Sequence, residues 1–182
     1  ACLQAASGDL PLVAEDLGII TYEVTALRQK YQLPGMSVLQ FAFDHFEDNP
    51  HKPWNVANNT VYYTGTHDND TLLGWFNSLN PEQQAWALNL IQEHIFLSIE
   101  QNQGNIIDLM LATVFQSAAG LVMLPWQDVL GLGSEARMNV PGTIEGNWHW
   151  RFDWHQIQPD RLTRLKTQLQ QHQRYHTTVA NQ

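Results

Sequence analysis

Two short stretches hold the groups best suited to chemistry: Leu12-Val13-Ala14-Glu15-Asp16-Leu17-Gly18 and Tyr63-Thr64-Gly65-Thr66-His67-Asp68-Asn69-Asp70. Each is an apolar run of strand length that stops abruptly at carboxylates. An acid on the last residue of a buried strand sits at the mouth of a sheet, with one side open to solvent or substrate. In parallel-stranded barrels the chemistry is done at that mouth. Two further apolar runs also end in acids, at Asp44 and Asp128.

Carboxyl groups facing each other across such a mouth suit glycosidic bond chemistry. One protonates the leaving oxygen while another attacks the anomeric carbon or directs water to it. A retaining site needs its nucleophile and its acid about 5 Å apart. Glu15 has the longer reach, and the apolar residues before it promise a dry flank, the setting of a proton donor. Asp68, beside His67, is better placed to hydrogen-bond sugar hydroxyls. Residue types and spacing alone do not separate these two roles.

Structural uses compete with the chemical ones. An acid at a strand end caps the following helix more often than it catalyses, and that is the expectation for Asp16 and Asp70, because Asp favours helix N-termini. His67 taken alone reads equally well as a hydrogen-bonded core residue. His67, Asp68 and Asp70 offer three metal ligands within four residues, but adjacent residues of a strand point to opposite faces and rarely share one ion. No metal site is expected.

Composition narrows the partners. The 182 residues carry a formal net charge of −9, with 9 Lys and Arg against 18 Asp and Glu and no basic cluster. Nucleic acid is therefore excluded, since phosphate neutralisation needs a basic patch. No apolar run reaches the length of a membrane span, so no membrane partner is expected. The single cysteine, Cys2, supports neither a disulfide framework nor a thiolate zinc site, which fits a reducing compartment such as the cytoplasm. The chain has 7 Trp. Their rings suit places where a flat apolar face meets a polar partner such as a sugar, although core burial is the commoner use of any single one.

The elements that must position the acids follow from periodicity and capping. Strands are predicted over residues 10–14, 36–43, 61–66 and 120–123, the last extending to 126. A helix opens at Thr21, with Val24, Leu27 and Tyr31 on one face, and stops at Leu33-Pro34-Gly35. Another opens at Asn80-Pro81-Glu82-Gln83, which combines a capping Asn, Pro at the first helical position and Gln three residues after the cap. Residues 106–115 are apolar almost all round and predict a buried helix. The last helix opens at Pro159 with one apolar stripe, Leu162, Leu165 and Leu169, and belongs on the outside. Residues 45–59 read as a loop, residues 1–9 as the end of a preceding helix and a turn, and residues from 170 as a frayed tail.

Alternating strands and helices imply an α/β fold with a parallel sheet and crossover helices. Four strands ending in acids suit a (β/α)8 TIM barrel, but such a barrel takes about 250 residues, so the chain supplies about half of one. No internal repeat suggests two copies of a half-barrel.

The chain contains, in order, Ala14-Glu15-Asp16-Leu17-Gly18, Leu33-Pro34-Gly35-Met36, Val38-Leu39-Gln40-Phe41-Ala42-Phe43-Asp44, Tyr63-Thr64-Gly65-Thr66-His67-Asp68-Asn69-Asp70-Thr71, Gly74-Trp75, Arg137-Met138-Asn139-Val140-Pro141-Gly142-Thr143 and Gly146-Asn147-Trp148. Over residues 12–152 it resembles the 4-α-glucanotransferases, the amylomaltase or disproportionating-enzyme family related to the α-amylases. Any one of these motifs is weak; the ordered set is specific.

The resemblance implies a retaining (β/α)8 enzyme that cuts an α-1,4-glucan, such as a maltooligosaccharide, and moves the piece to the 4-hydroxyl of another glucan or of glucose. Position by position, Glu15 matches the general acid/base and Asp68 the transition-state-stabilising acid. His67 matches the residue that binds the sugar in the cleaved subsite, and Asp44 and Asn139 match positions that bind donor glucose units. The family uses no cofactor and no metal. It works in the cytoplasm, or in the plastid of a plant.

One departure is central. The family's nucleophile is an Asp in an Arg-x-Asp-His context, and no such motif occurs in these residues. The resemblance therefore implies the C-terminal portion of an enzyme of roughly twice this length or more. The isolated chain is expected to be inactive, because a double displacement without its nucleophile has no covalent intermediate. A half-barrel is also expected to expose sheet edges beside residues 10–14 and 120–123. Two alternatives stand beside this reading. A hydrolase of the same clan differs only in its acceptor, and Arg137-Met138-Asn139 with Gly146-Asn147-Trp148 favours the transferase. A non-catalytic glucan-binding protein would use Trp54, Trp75 and Trp126 as stacking platforms.

Overall fold

The computed structural model describes residues 11–98, 100 and 104–175. Among these, strands β1 (Gly35–Val38), β2 (Thr60–Tyr63) and β3 (Leu121–Met123) pair in parallel in that order. Met36 lies opposite Val61, and Val61 opposite Leu121. Parallel neighbours need long crossovers. Helices supply part of the one between β2 and β3, as the alternating pattern predicts.

The first predicted strand is not one. Leu10 lies outside the described residues, and residues 11–14 have no strand structure. A single backbone bond, from Ala14 N–H to the Pro34 carbonyl at 2.8 Å, joins this segment to the start of β1. Pro11 has no N–H to donate. The Met36 N–H, which a strand neighbour would take, goes instead to the Asp16 carboxylate at 2.6 Å. The described residues thus form three strands rather than about four.

The second predicted strand is shorter than expected. It ends at Val38, and the chain turns through a single 3-10 turn, Leu39–Phe41. That turn carries the buried Gln40 amide to the Asp70 carbonyl, 2.8 Å away. The loop over residues 45–59 is held by its own amides. Asn49 Nδ2 donates to the Phe41 carbonyl at 2.8 Å, and Asn55 Nδ2 to the Glu47 carbonyl at 2.7 Å.

Helix α1 (Tyr22–Lys30) follows Thr21 and has no buried residue. Its expected inner face, Val24 and Leu27, is exposed. Helix α2 (Leu72–Ser78) starts where Thr71 Oγ1 accepts from Gly74 N–H at 3.1 Å. Helix α3 (Pro81–Ile95) has the capping box that its sequence predicts. Asn80 Oδ1 accepts from Gln83 N–H at 2.9 Å, and Gln83 Oε1 accepts from Asn80 N–H at 3.0 Å.

Helix α4 (Ile106–Gln116) is buried from Ile107 to Phe115. With Leu39, Tyr62, Leu72 and Ile91 it forms the core. Each fully buried Leu or Ile there contributes about 1.5–3 kcal/mol relative to exposure. Asp108 interrupts that apolar surface. A buried carboxylate needs a partner, and Arg164 Nε supplies one at 2.8 Å. Arg164 belongs to helix α6 (Pro159–Gln171), which follows the short helix α5 (Trp126–Leu130).

Helix α6 runs to Gln171. Beyond it Arg174 donates to the carbonyls of Phe115, Ala119 and Ser117 at 2.9, 2.7 and 2.6 Å. These bonds satisfy carbonyls at the end of α4. Of the residues from Gln170 on, those up to Tyr175 are described, and Arg174 is held by these three bonds. The expected end segments at residues 1–9 and 176–182 lie outside the described residues. On β3, Leu121 and Met123 are exposed. No helix among the described residues is long and apolar enough to cross a membrane.

Candidate active site

The segments that follow β2 and β3 surround a cavity of about 470 Å³. Glu15, His67 and Asp68 all line it, together with Thr66, Arg137 and Trp148. Two separate motifs are thus brought to one concave surface, which lies where strands of a parallel sheet end.

The loop over residues 64–72 carries most of the site. Inside it, Asn69 Oδ1 accepts from Thr66 N–H at 2.8 Å and from Thr66 Oγ1 at 2.9 Å. A Cβ on Gly65 would lie 2.7 Å from Gln40 Nε2, so a larger residue there would displace the Gln40 amide. Asp70 accepts from Thr71 N–H through Oδ1 and from Ser134 Oγ through Oδ2, both at 2.7 Å. Asp16 accepts from Met36 N–H and pairs with Arg28 at 3.1 Å. Neither acid is the helix cap expected of it: Thr21 and Thr71 hold those positions.

Asp68 stands at the centre of a polar cluster. Its Oδ1 accepts from Asn139 Nδ2 at 2.6 Å and lies 3.3 Å from His67 Nε2. Arg137 binds the backbone on both sides of that contact. Its Nη2 donates to the Asp68 carbonyl and its Nε to the Asn139 carbonyl, each at 2.8 Å. The side chains of His67 and Asp68 are 59% and 50% exposed, so a ligand can reach both.

Glu15 is exposed. The apolar residues before it, Leu12 and Val13, are exposed as well. The dry flank expected for Glu15 is therefore absent among the described residues, because the segment that carries it has no strand neighbour to cover it.

Asp44 is not part of this cavity. It lines a second cleft of about 560 Å³ with Trp75 and Trp86. Its Oδ1 accepts from Phe46 N–H at 3.1 Å and lies 3.8 Å from the ammonium of the buried Lys52. The turn at Leu39–Phe41 separates Asp44 from the end of β1 and carries it away from the Asp68 cluster.

Trp148 and Arg137 were assigned no role by residue type and spacing. Trp148 is 52% exposed, and its ring lies 5.3 Å from that of His67. Its backbone is left-handed, with φ of 63°, a conformation uncommon outside glycine. The bond from Trp148 N–H to the Met138 carbonyl at 2.7 Å closes the loop that holds it there. The signal was present in Gly146-Asn147, a turn pair directly before an aromatic ring. The three Trp considered as platforms each meet another ring, and Trp75 also lines the second cleft. Trp54 stacks on His94, Trp75 on Phe43, and Trp126 meets Phe152 edge-on.

Asp128 is 1% exposed. Burial pushes its carboxyl above the ordinary value, against the hydrogen bonds from Leu72 and Thr64 and the nearby Arg161, which act to lower it. Among the described residues, no group of three His, Cys, Asp or Glu is arranged to hold a metal ion.

A Glu and an Asp facing one cavity on a parallel α/β scaffold are the groups that glycosidic bond chemistry uses. The chain belongs to the 4-alpha-glucanotransferase family, whose model matches residues 1–158. It is 47% identical over 160 residues to a 4-alpha-glucanotransferase of Synechocystis, an alignment that covers 87% of this chain and 29% of that protein. It is 43% identical over 166 residues to a 4-alpha-glucanotransferase of Thermus thermophilus, covering 90% of this chain and 33% of that protein. The chain thus spans about a third of the length of these relatives. Among solved structures, it is similar to an amylomaltase from Streptococcus agalactiae in complex with acarbose. The TM-score is 0.84 at 30% identity, over 96% of this chain and 34% of that one.

Proposed function

We propose that this protein is a retaining 4-α-glucanotransferase acting on maltooligosaccharides and longer α-1,4-glucans. The observation that carries the reading is the meeting of Glu15, His67 and Asp68 at one cavity, with Asn139 bonded to Asp68. Glu15 protonates the glycosidic oxygen as it leaves. It then takes the proton from the acceptor's 4-hydroxyl in the second half-reaction. Asp68 hydrogen-bonds the hydroxyls of the reacting glucose, and its charge stabilises the oxocarbenium-like transition state. His67 holds the same ring, and Trp148 offers it an apolar face.

Retention also requires a carboxylate nucleophile. The Arg-x-Asp-His motif is not among the 182 residues, and the relatives extend over about three times this length. The reading assigns the nucleophile to sequence outside these residues, so the 182 residues alone carry no transferase activity. It likewise makes the three-stranded sheet part of a (β/α)8 barrel, whose closure would cover Leu121, Met123 and α1. Asp44, in the neighbouring cleft with Trp75 and Trp86, holds glucose units further along the chain. A cytoplasmic or plastid setting goes with this activity.

The test is the product pattern from maltotriose with the whole protein that carries this chain. Transfer yields glucose together with maltopentaose and longer oligosaccharides. Glucose and maltose alone would mean that water is the acceptor and would overturn the transferase reading.

A further inference from the structure

Asp128 has no role in the chemistry above, yet it bonds to both ends of the loop that carries it. Its Oδ2 accepts from Thr64 Oγ1 at 2.5 Å, directly after β2. Its Oδ1 accepts from Leu72 N–H at 2.7 Å, at the first residue of α2. Between these two anchors lie His67 and Asp68. Thr64 is fully buried, and Asp128 lies in the cavity wall.

We propose that Asp128 is a positioning residue: its buried carboxylate ties the two ends of the 64–72 loop together and so sets where Asp68 and His67 meet the sugar.

A carboxylate suits this task because it is an acceptor at both oxygens and both anchors are donors. Its own position is fixed from behind. Asp128 sits on α5, and Arg161 of α6 donates through Nη2 to its backbone carbonyl at 3.1 Å and through Nε to that of Val129. The loop is also tied from other sides, by Gln40 to the Asp70 carbonyl, by Ser134 to the Asp70 carboxylate and by Arg137 to the Asp68 carbonyl. Those ties fall within the loop. Among the described residues Asp128 alone bonds to both ends, so its loss frees their separation from that constraint. A misplacement of about 1 Å in a reacting group costs on the order of a hundredfold in rate.

This inference rests on the role proposed for Asp68, and its test separates the two. The measured quantity is the rate of maltotriose cleavage by the whole protein and its variants. Product composition from the wild type tests the function, whereas the ratio of variant to wild type tests the positioning role. Asp128→Asn keeps the shape but presents a donor to one anchor. Its kcat is expected to fall about tenfold to a hundredfold, with KM changed by less than about twofold.

The decisive comparison is made in an Asp68→Asn background. If Asp128 acts through Asp68, the further loss from Asp128→Asn largely disappears there. Thr64→Val removes one anchor while leaving Asp128 in place, and it is read in the same way if Asp128→Asn fails to fold. An unchanged kcat in both variants, or losses that simply multiply with that of Asp68→Asn, would overturn the proposal.

Discussion

Replacing Glu15 by Gln in the whole protein is expected to slow maltotriose cleavage by about 10²–10⁴-fold, the usual worth of a general acid and base. Gln has the same shape but no proton to give. Glu15 is exposed at the cavity rim, so the change removes no core packing, and the thermal midpoint should stay within about 1 °C of the wild type. The choice of donor isolates the chemistry. A glucosyl donor whose leaving group is fluoride needs little protonation, so the loss in the first step should shrink sharply with it. An equal loss with maltotriose and with the fluoride would mean that Glu15 binds the glucan but does not protonate it.

Asp68→Asn is expected to lower kcat by about 10²–10³-fold, the range found when one charge-stabilising group is removed from a reaction centre. The loss should fall on kcat more than on KM, because the carboxylate matters most once the sugar ring becomes positive. Its geometry supports a small structural cost. The side chain is half exposed, and its two side-chain contacts, with Asn139 and His67, are both on Oδ1. An Asn side chain can keep the Asn139 contact by turning its carbonyl oxygen that way. A variant with unchanged kcat and only a raised KM would reduce Asp68 to a binding group.

Local rules explain what was legible beforehand. The start of α3 is a matter of neighbouring residues alone, since Asn80, Pro81 and Gln83 make the cap among themselves. The burial of α4 follows from a helix with almost no polar face. The parallel sheet follows from the alternation of strand and helix patterns. Failures came where a side chain took a place that periodicity gives to the backbone. Residues 11–14 have strand-like composition, but Asp16 takes the Met36 N–H that a neighbouring strand would have used. After Val38, the apolar run continues while the chain turns, which brings the Gln40 amide to the Asp70 carbonyl.

The same reasoning applies to the site. His67 and Asp68 share one loop, so their proximity was legible. Glu15 comes to the same cavity through tertiary structure, although the strand predicted to end at it does not form. Asp44 also had that signature and lies in another cleft, because the turn at Leu39–Phe41 intervenes. Arg137 acts through two backbone carbonyls, Asp68 and Asn139, and no spacing rule reports such a contact. Trp148 owes its place to a left-handed backbone that only the closed loop shows.

On this reading the cavity shared by Glu15, His67 and Asp68 receives the glucan. A crystal structure of the whole protein soaked with acarbose tests it most directly. A ring of the inhibitor is expected within hydrogen-bond distance of the Asp68 carboxylate and of His67, with Glu15 at the linkage to the next ring. Acarbose seated only in the Asp44 cleft, with the Asp68 cavity holding solvent, would contradict it.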